Sequence, residues 1–123
     1  MNNIFYESDD LIIRPYKTGD EASLAFFSNN RQIAQKLGNW FPSPFTYDDA
    51  CVWVAQHSVS LLNFPIIYYG DVIGNIGIRN IDGSKADLII WISPEFTDID
   101  ISSRACQWMK KYAFEQLGIN VVF

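Results

Sequence analysis

The segment from Ala86 to Leu117, ADLIIWISPEFTDIDISSRACQWMKKYAFEQL, constrains the fold more than any other part of the chain. A β-branched apolar run, Ala86 to Ile92, meets a Ser93-Pro94-Glu95 turn and then an acidic stretch. An amphipathic helix follows from about Ile101 to Leu117 and stops at Gly118, and Ile119 to Phe123 read as a last strand. A strand, a crossover helix and a strand make the two strands parallel neighbours in one sheet. The helix start then lies beside the end of the first strand, and its unpaired first-turn N–H groups form a natural receiver for an anion.

Upstream of this unit the pattern is antiparallel. Phe64 to Tyr69, a Gly70-Asp71 turn and Val72 to Ile81 read as a β-hairpin. A second turn, Asp82 to Lys85, leads into Ala86 to Ile92, so three strands form a meander. Leu11 to Tyr16 predicts a strand that opens the sheet, with Pro15 suiting an edge or a strand end. Thr18-Gly19-Asp20-Glu21 carries capping chemistry for a short helix through Ala22, Leu24 and Phe27, broken at Asn29-Asn30. A second short helix, Arg31 to Leu37, ends at Gly38, which suits a left-handed C-terminal residue. Thr46 to Asp49 is a near capping box for a third helix, with Asp in place of the usual Glu. No repeat or linker interrupts the 123 residues, so the reading is one α+β domain, residues 1 to 123, with a mixed, mostly antiparallel sheet flanked by helices.

Charge and cysteine content remove several functions. A net charge of −5 with nine scattered basic residues argues against a nucleic-acid or anionic-membrane partner. No apolar run reaches the ~20 residues that span a bilayer, and Met1 to Ile4 lacks a basic segment followed by a hydrophobic one. The expectation is a soluble cytoplasmic protein. Cys51 and Cys106 stand in unrelated apolar contexts without metal-ligand spacing, so they are expected to be free thiols, with no metal site. His57, the only histidine, reads as a surface residue near a helix end. The loop Asn39-Trp40-Phe41-Pro42-Ser43-Pro44-Phe45 is either pinned to the core by its aromatics or a wall of a pocket, the first being the stronger reading.

Five stretches in this order, LIIRPY, TYDDACVWV, YYGDVIGNIGIRNID, ADLIIWISPEF and KKYAFEQLGI, together resemble the GCN5-related N-acetyltransferases (GNAT), in particular their ribosomal-protein alanine acetyltransferase branch. The resemblance implies a sheet splayed between the family's fourth and fifth strands that holds acetyl-coenzyme A. The pantetheine would lie along Ala86 to Ile92, on the main chain of Ile90, Trp91 and Ile92, with the pyrophosphate on the helix after Asp100. It also implies transfer of the acetyl group to a primary amine, of a protein N-terminus or a small molecule, with Asp87 as the base and Ser102 and Ser103 offering hydroxyls and amides to phosphate.

Two departures from the family bear on activity. Its phosphate loop reads [QR]-x-x-G-x-[GA], where this chain has Thr97-Asp98-Ile99-Asp100-Ile101-Ser102. At ~6 Å and an effective dielectric near 20, each carboxylate facing a phosphate charge costs roughly 3 kcal/mol before screening. Asp98 and Asp100 suit capping of the helix's first turn instead. The family also continues past its fifth strand with a helix and a β-hairpin, often carrying a tyrosine acid, which have no counterpart here. The apolar strand Ile119 to Phe123 is then expected to pair as an open edge with a second copy, giving a homodimer. The alternative to an acetyltransferase is a noncatalytic, degenerate GNAT-fold module for binding or assembly that does not bind acetyl-CoA.

Overall fold

The computed structural model describes residues 4–97 and 100–123. A six-stranded sheet runs in chain order: β1 (Tyr6–Glu7), β2 (Leu11–Ile13), β3 (Asn63–Tyr68), β4 (Asp71–Asp82), β5 (Lys85–Ile92) and β6 (Val121–Val122). Neighbours from β1 to β5 are antiparallel and β5 pairs with β6 in parallel, as the crossover requires. Between β2 and β3 the chain forms α1 (Glu21–Ser28), α2 (Arg31–Leu37) and α3 (Tyr47–Ser60); α4 (Ile101–Leu117) is the crossover.

The sheet is covered on both faces. Ile73, Ile76 and Ile78 pack with Ile101, Ala105, Met109 and Ala113 of α4, which recur every four residues and so form one stripe of the helix. On the opposite face Ile67, Val72, Ile89 and Trp91 pack with Leu24 of α1, Ile33 of α2, Ala50 and Val54 of α3, and Phe41 and Phe45 of the aromatic loop.

Several local expectations are corrected. A short β1, set by pairing Tyr6 with Ile13, lies outside β2, so the strand at Leu11 does not form the edge, and it ends at Ile13 before Pro15. Asp20 occupies the N-cap of α1 without capping it, because Arg14 binds both of its carboxylate oxygens, at 2.8 and 2.9 Å, and the Lys17 N–H also donates to it. Gly38 has φ of +91° with an extended ψ, not the left-handed helical pair. The last strand is two residues long, although Phe123 still donates to Ala86 O and accepts from Leu88 N. Thr46 and Asp49 do close the capping box of α3, and Gly118 ends α4 at φ +69°.

Candidate functional site

The alternation of β5 divides its residues between three tasks. Ala86, Leu88, Ile90 and Ile92 send their side chains to the α4 face, while Ile89 and Trp91 face the other helices. The main chain at Ala86 and Leu88 bonds outward to Phe123 of the last strand. By the period of two, the peptide groups of Ile90 and Ile92 point to the same outer edge, beyond the end of β6. Those of Trp91 turn inward to β4, opposite Asn75. Of the three residues expected along the pantetheine, Ile90 and Ile92 therefore present main-chain donors and acceptors at the open edge, whereas Trp91 contributes its position and its indole.

At this end of β5 the sheet opens into a groove of about 150 Å³ lined by Ile90, Trp91, Ile92, Phe96, Thr97, Ser102 and Lys36. One wall is the 3-10 turn Pro94–Phe96, held by Phe96 against the rings of Phe27 and Tyr68, each with centroids at 5.6 Å. The other is the first turn of α4, where Ser102 and Ser103 are exposed. Lys36 enters from α2, a residue that no sequence pattern singles out. A helical lysine with no unusual neighbours carries no local signal.

Asp98 lies outside the described residues. Asp100 is the N-cap residue of α4 but its side chain makes no cap hydrogen bond, contrary to expectation. Its carboxylate is 75% exposed and sits 3.4 Å from Arg104 Nε, one turn along the helix. Arg104 is engaged elsewhere too: its two terminal nitrogens bind the Asp10 carboxylate at 3.0 and 2.9 Å, and Ser8 Oγ lies at 3.2 Å. These bonds hold the Asp10 carboxyl down at about 2 and push the Arg104 guanidinium above its ordinary value. Arg104 is thus a clamp from α4 to the β1–β2 turn.

Asp87 lies on the face of β5 shared with Ile89 and Trp91, in register with Arg79 of β4. A bulge falls in β4 between Arg79 and Asp82, where Asn80 takes φ of +54°. The bulge lets Asn80 Nδ2 donate to Asp87 Oδ2 at 2.9 Å, which fixes the carboxylate. A non-glycine residue in this backbone region beside a candidate base is the kind of strain that accompanies functional positions.

The wall beyond Asp87 is aromatic. Trp91 packs against Trp53 and Phe41 with centroids at 5.3 and 4.9 Å, and donates its indole N–H to Ser28 Oγ at 2.9 Å. Phe41 and Phe45 pin the loop to the core, while Trp40 stays partly open beside Trp53. Beneath them is a buried polar network centred on Asn75. Its Oδ1 accepts from Tyr16 Oη at 2.7 Å and Trp53 Nε1 at 3.2 Å, and its Nδ2 donates to Asn63 Oδ1 at 2.9 Å. Burial raises the Tyr16 phenol well above its ordinary range, so it remains a donor. His57 is not a surface residue: it is 8% exposed, its ring centroid is 4.1 Å from that of Trp53, and Nδ1 lies 3.1 Å from Ser60 Oγ. Desolvation lowers its pKa. Cys51 and Cys106 are free, and no cluster of potential metal ligands occurs among the described residues. No helix among them is long and apolar enough to cross a membrane.

A short parallel pair at the end of a mixed sheet, with a helix start beside the edge that β5 keeps open, agrees with the topology that the resemblance implies. Residues 10–123 match the acetyltransferase (GNAT) domain. The chain belongs to the GNAT family. It is 31% identical over 102 residues to YdaF of Bacillus subtilis (strain 168), provisionally named a ribosomal N-acetyltransferase, a match that covers 74% of this chain and 56% of YdaF. This GNAT chain thus spans little more than half the length of that relative. Its fold is similar to that of RimL, a ribosomal L7/L12 α-N-protein acetyltransferase solved with coenzyme A, at a TM-score of 0.76 and 14% identity, covering 94% of this chain and 70% of RimL. The ribosomal-protein-S5-alanine acetyltransferase of Vibrio fischeri gives a TM-score of 0.67 at 20% identity, covering 89% and 67%.

Proposed function

We propose that this GNAT chain transfers an acetyl group from acetyl-CoA to a primary amine, the N-terminus of a protein or a small molecule. The observation that carries the reading is the groove at the end of β5, where the outward peptide groups of Ile90 and Ile92 meet Ser102. These residues fit the group. The open strand edge suits the amides of a pantetheine arm, and the first-turn N–H groups of α4, with the hydroxyls of Ser102 and Ser103, suit a pyrophosphate. Lys36 supplies a cation at the same groove, whereas Arg104 on α4 itself is held by Asp10.

Acetyl-CoA, when bound, supplies the activated acyl group. Asp87, fixed by Asn80, would take one proton from the acceptor ammonium, and the freed amine would attack the thioester carbonyl as the C–S bond breaks. The nitrogen would lose its second proton to solvent water as the amide forms, and the proton held by Asp87 would pass to the leaving thiolate, so the net products are an amide, a thiol and one proton released to water. Main-chain N–H groups at the β5 edge favour the developing oxyanion.

Calorimetric titration of coenzyme A and of pantetheine against the protein and its Asp100→Asn variant tests the reading. A dissociation constant on the order of micromolar for coenzyme A supports it, and Asp100→Asn should tighten coenzyme A and leave pantetheine unchanged. Absence of any binding of either compound at millimolar concentration overturns it in favour of a noncatalytic GNAT-fold module.

The same reading extends to assembly. Phe114, Val121 and Phe123 are exposed around the outer edge of β6, with Phe123 at 71%. Pairing with a second copy across this edge would cover them and satisfy the outer main-chain groups. Sedimentation at micromolar concentration should give a dimer that Val121→Lys weakens; a monomer for the unsubstituted chain rejects this contact.

A further inference from the structure

We infer that Arg79, laid on the Trp40 ring, forms a subsite for a carboxylate of the acceptor close to its reactive amine. The inference rests on the acetyltransferase reading and narrows its substrate class. Arg79 and Asp87 face one another in register across β4 and β5, so their Cα atoms are ~5 Å apart and both side chains rise from the same face of the sheet. An opposite-charge pair placed this way ordinarily closes on itself. Here it does not. Asp87 is bound by Asn80, and the Arg79 guanidinium instead lies 4.7 Å from the centroid of Trp40. Among the described residues Arg79 makes no ion pair, while Arg14 and Arg104 are both bound to carboxylates.

Trp40 is itself braced by Trp53 and Phe41, at centroid distances of 6.3 and 5.7 Å, so the guanidinium rests on a fixed platform. Arg79 is exposed and has no carboxylate partner among the described residues, so N–H donors directed away from the ring can receive a carboxylate, which a guanidinium binds through two parallel hydrogen bonds. The sign of the charge points the same way. An ammonium brought to Asp87 meets Arg79 on the neighbouring strand, and the repulsion between the two cations is relieved when the acceptor carries a negative group on that side. An acceptor with a second positive charge beside its amine, such as a polyamine, meets that repulsion without relief. A carboxylate can come from an acidic side chain next to an N-terminus or from the C-terminus of a short acceptor, and both present the same group.

The test uses the whole chain with acetyl-CoA and four dipeptide acceptors: Ala-Glu amide, Ala-Gln amide, Ala-Lys amide and Ala-Gln with a free C-terminal carboxylate. Acetylation rates at subsaturating acceptor are measured together with quenching of tryptophan fluorescence on acceptor binding. Ala-Glu amide should exceed Ala-Gln amide about tenfold in kcat/KM, chiefly through KM, if the side chain is the source; a gain confined to the free-carboxylate peptide identifies the C-terminus as the source, and equal gains show that either carboxylate serves. Arg79→Gln should abolish the advantage, Arg79→Glu should reverse it in favour of Ala-Lys amide, and Arg79→Lys should retain part of it. Fluorescence quenching by the acidic peptide should be lost in Arg79→Gln while coenzyme A affinity is unchanged, which separates a lost subsite from a lost fold. Equal rates for all four acceptors in the unsubstituted chain overturn the subsite and leave the acetyltransferase reading standing. No acetylation and no acceptor binding, with coenzyme A bound, overturn both.

Discussion

Replacing Asn75 with leucine should cost the domain about 3–5 kcal/mol, because two buried polar groups, those of Tyr16 and Asn63, lose their partner at once. Asn75 is wholly buried in β4, and its amide takes hydrogen bonds from Tyr16 and Trp53 and gives one to Asn63. Leucine has the same branched skeleton with bulkier ends, so no cavity opens and the main cost comes from unmet hydrogen bonds. Tyr16 and Asn63 are buried on their own account, and each unsatisfied group costs about 1–3 kcal/mol. Trp53 is half-buried, so its N–H regains a partner in water and adds little. For a domain of this length the sum corresponds to a fall in Tm of roughly 12–20 °C. Tyr16→Phe alone removes one donor and leaves Asn75 bonded to Trp53, so it should cost about 1 kcal/mol. The double variant should then be more stable than the sum of the single losses predicts, since the phenol stranded by Asn75→Leu is gone. Thermal unfolding followed by circular dichroism and calorimetry gives all four corners of the cycle. Strict additivity, or a loss below about 1 kcal/mol for Asn75→Leu, would refute the claim that this network is closed and dry.

Gly74→Ala and Gly77→Ala should each lower stability by about 1–3 kcal/mol, but only Gly74→Ala should weaken coenzyme A: the new Cβ at Gly74 meets the Trp91 carbonyl oxygen and lies 2.9 Å from Ile92 Cα, main-chain atoms of the groove itself, whereas at Gly77 it meets the Asn63 side chain and lies 2.6 Å from the Leu62 carbonyl oxygen, away from the groove. Parallel unfolding and calorimetric titration of the two variants check both effects. His57 titrates below its ordinary value because burial disfavours the imidazolium, so the unfolded chain binds a proton first and stability falls as pH drops below 6.5. His57→Gln should flatten that fall in urea unfolding between about pH 7.5 and 5.5. Asp10, held at about 2 by Arg104 and Ser8, contributes stability that is present above its ordinary 3.8 and is lost as pH falls through about 2. Asp10→Asn should remove that acid limb and loosen α4 from the β1–β2 turn, read as faster amide exchange in both segments.

What was legible in the sequence follows the range of the interactions. The β5–α4–β6 crossover, the meander and the α3 capping box rest on periodicity and on residues at most a few positions apart, and these elements, the shorter β6 aside, stand close to their expected bounds. Asp20 shows where local rules stop: its capping position was legible, but Arg14, six residues back, takes the carboxylate. The burial of His57 depends on Trp53 and on the sheet below, and nothing at the end of α3 announces that face. Asn75 left a usable signal, an amide inside the apolar run of β4, since a polar residue in such a strand needs a partner and marks a network. The two-residue β1 is too short to give a periodic signal at all.

Because β5 offers its peptide groups to the open edge and its side chains to two different faces, changes to one task leave the others largely intact. Substituting Ile90 or Ile92 by another β-branched residue alters packing against α4 without touching the main-chain donors beside it. Asp87 and Trp91 bear on the opposite face, through Asn80 and the tryptophan wall, without contributing to that edge. The electrostatics at the start of α4 are then set apart from both. There the exposed carboxylate of Asp100 opposes an anion, the clamp on Asp10 keeps Arg104 from countering it, and Lys36 answers from another helix. If the chain takes the donor proposed above, its affinity should therefore respond to salt and to single substitutions at Asp100 and Lys36 more than to conservative changes along β5.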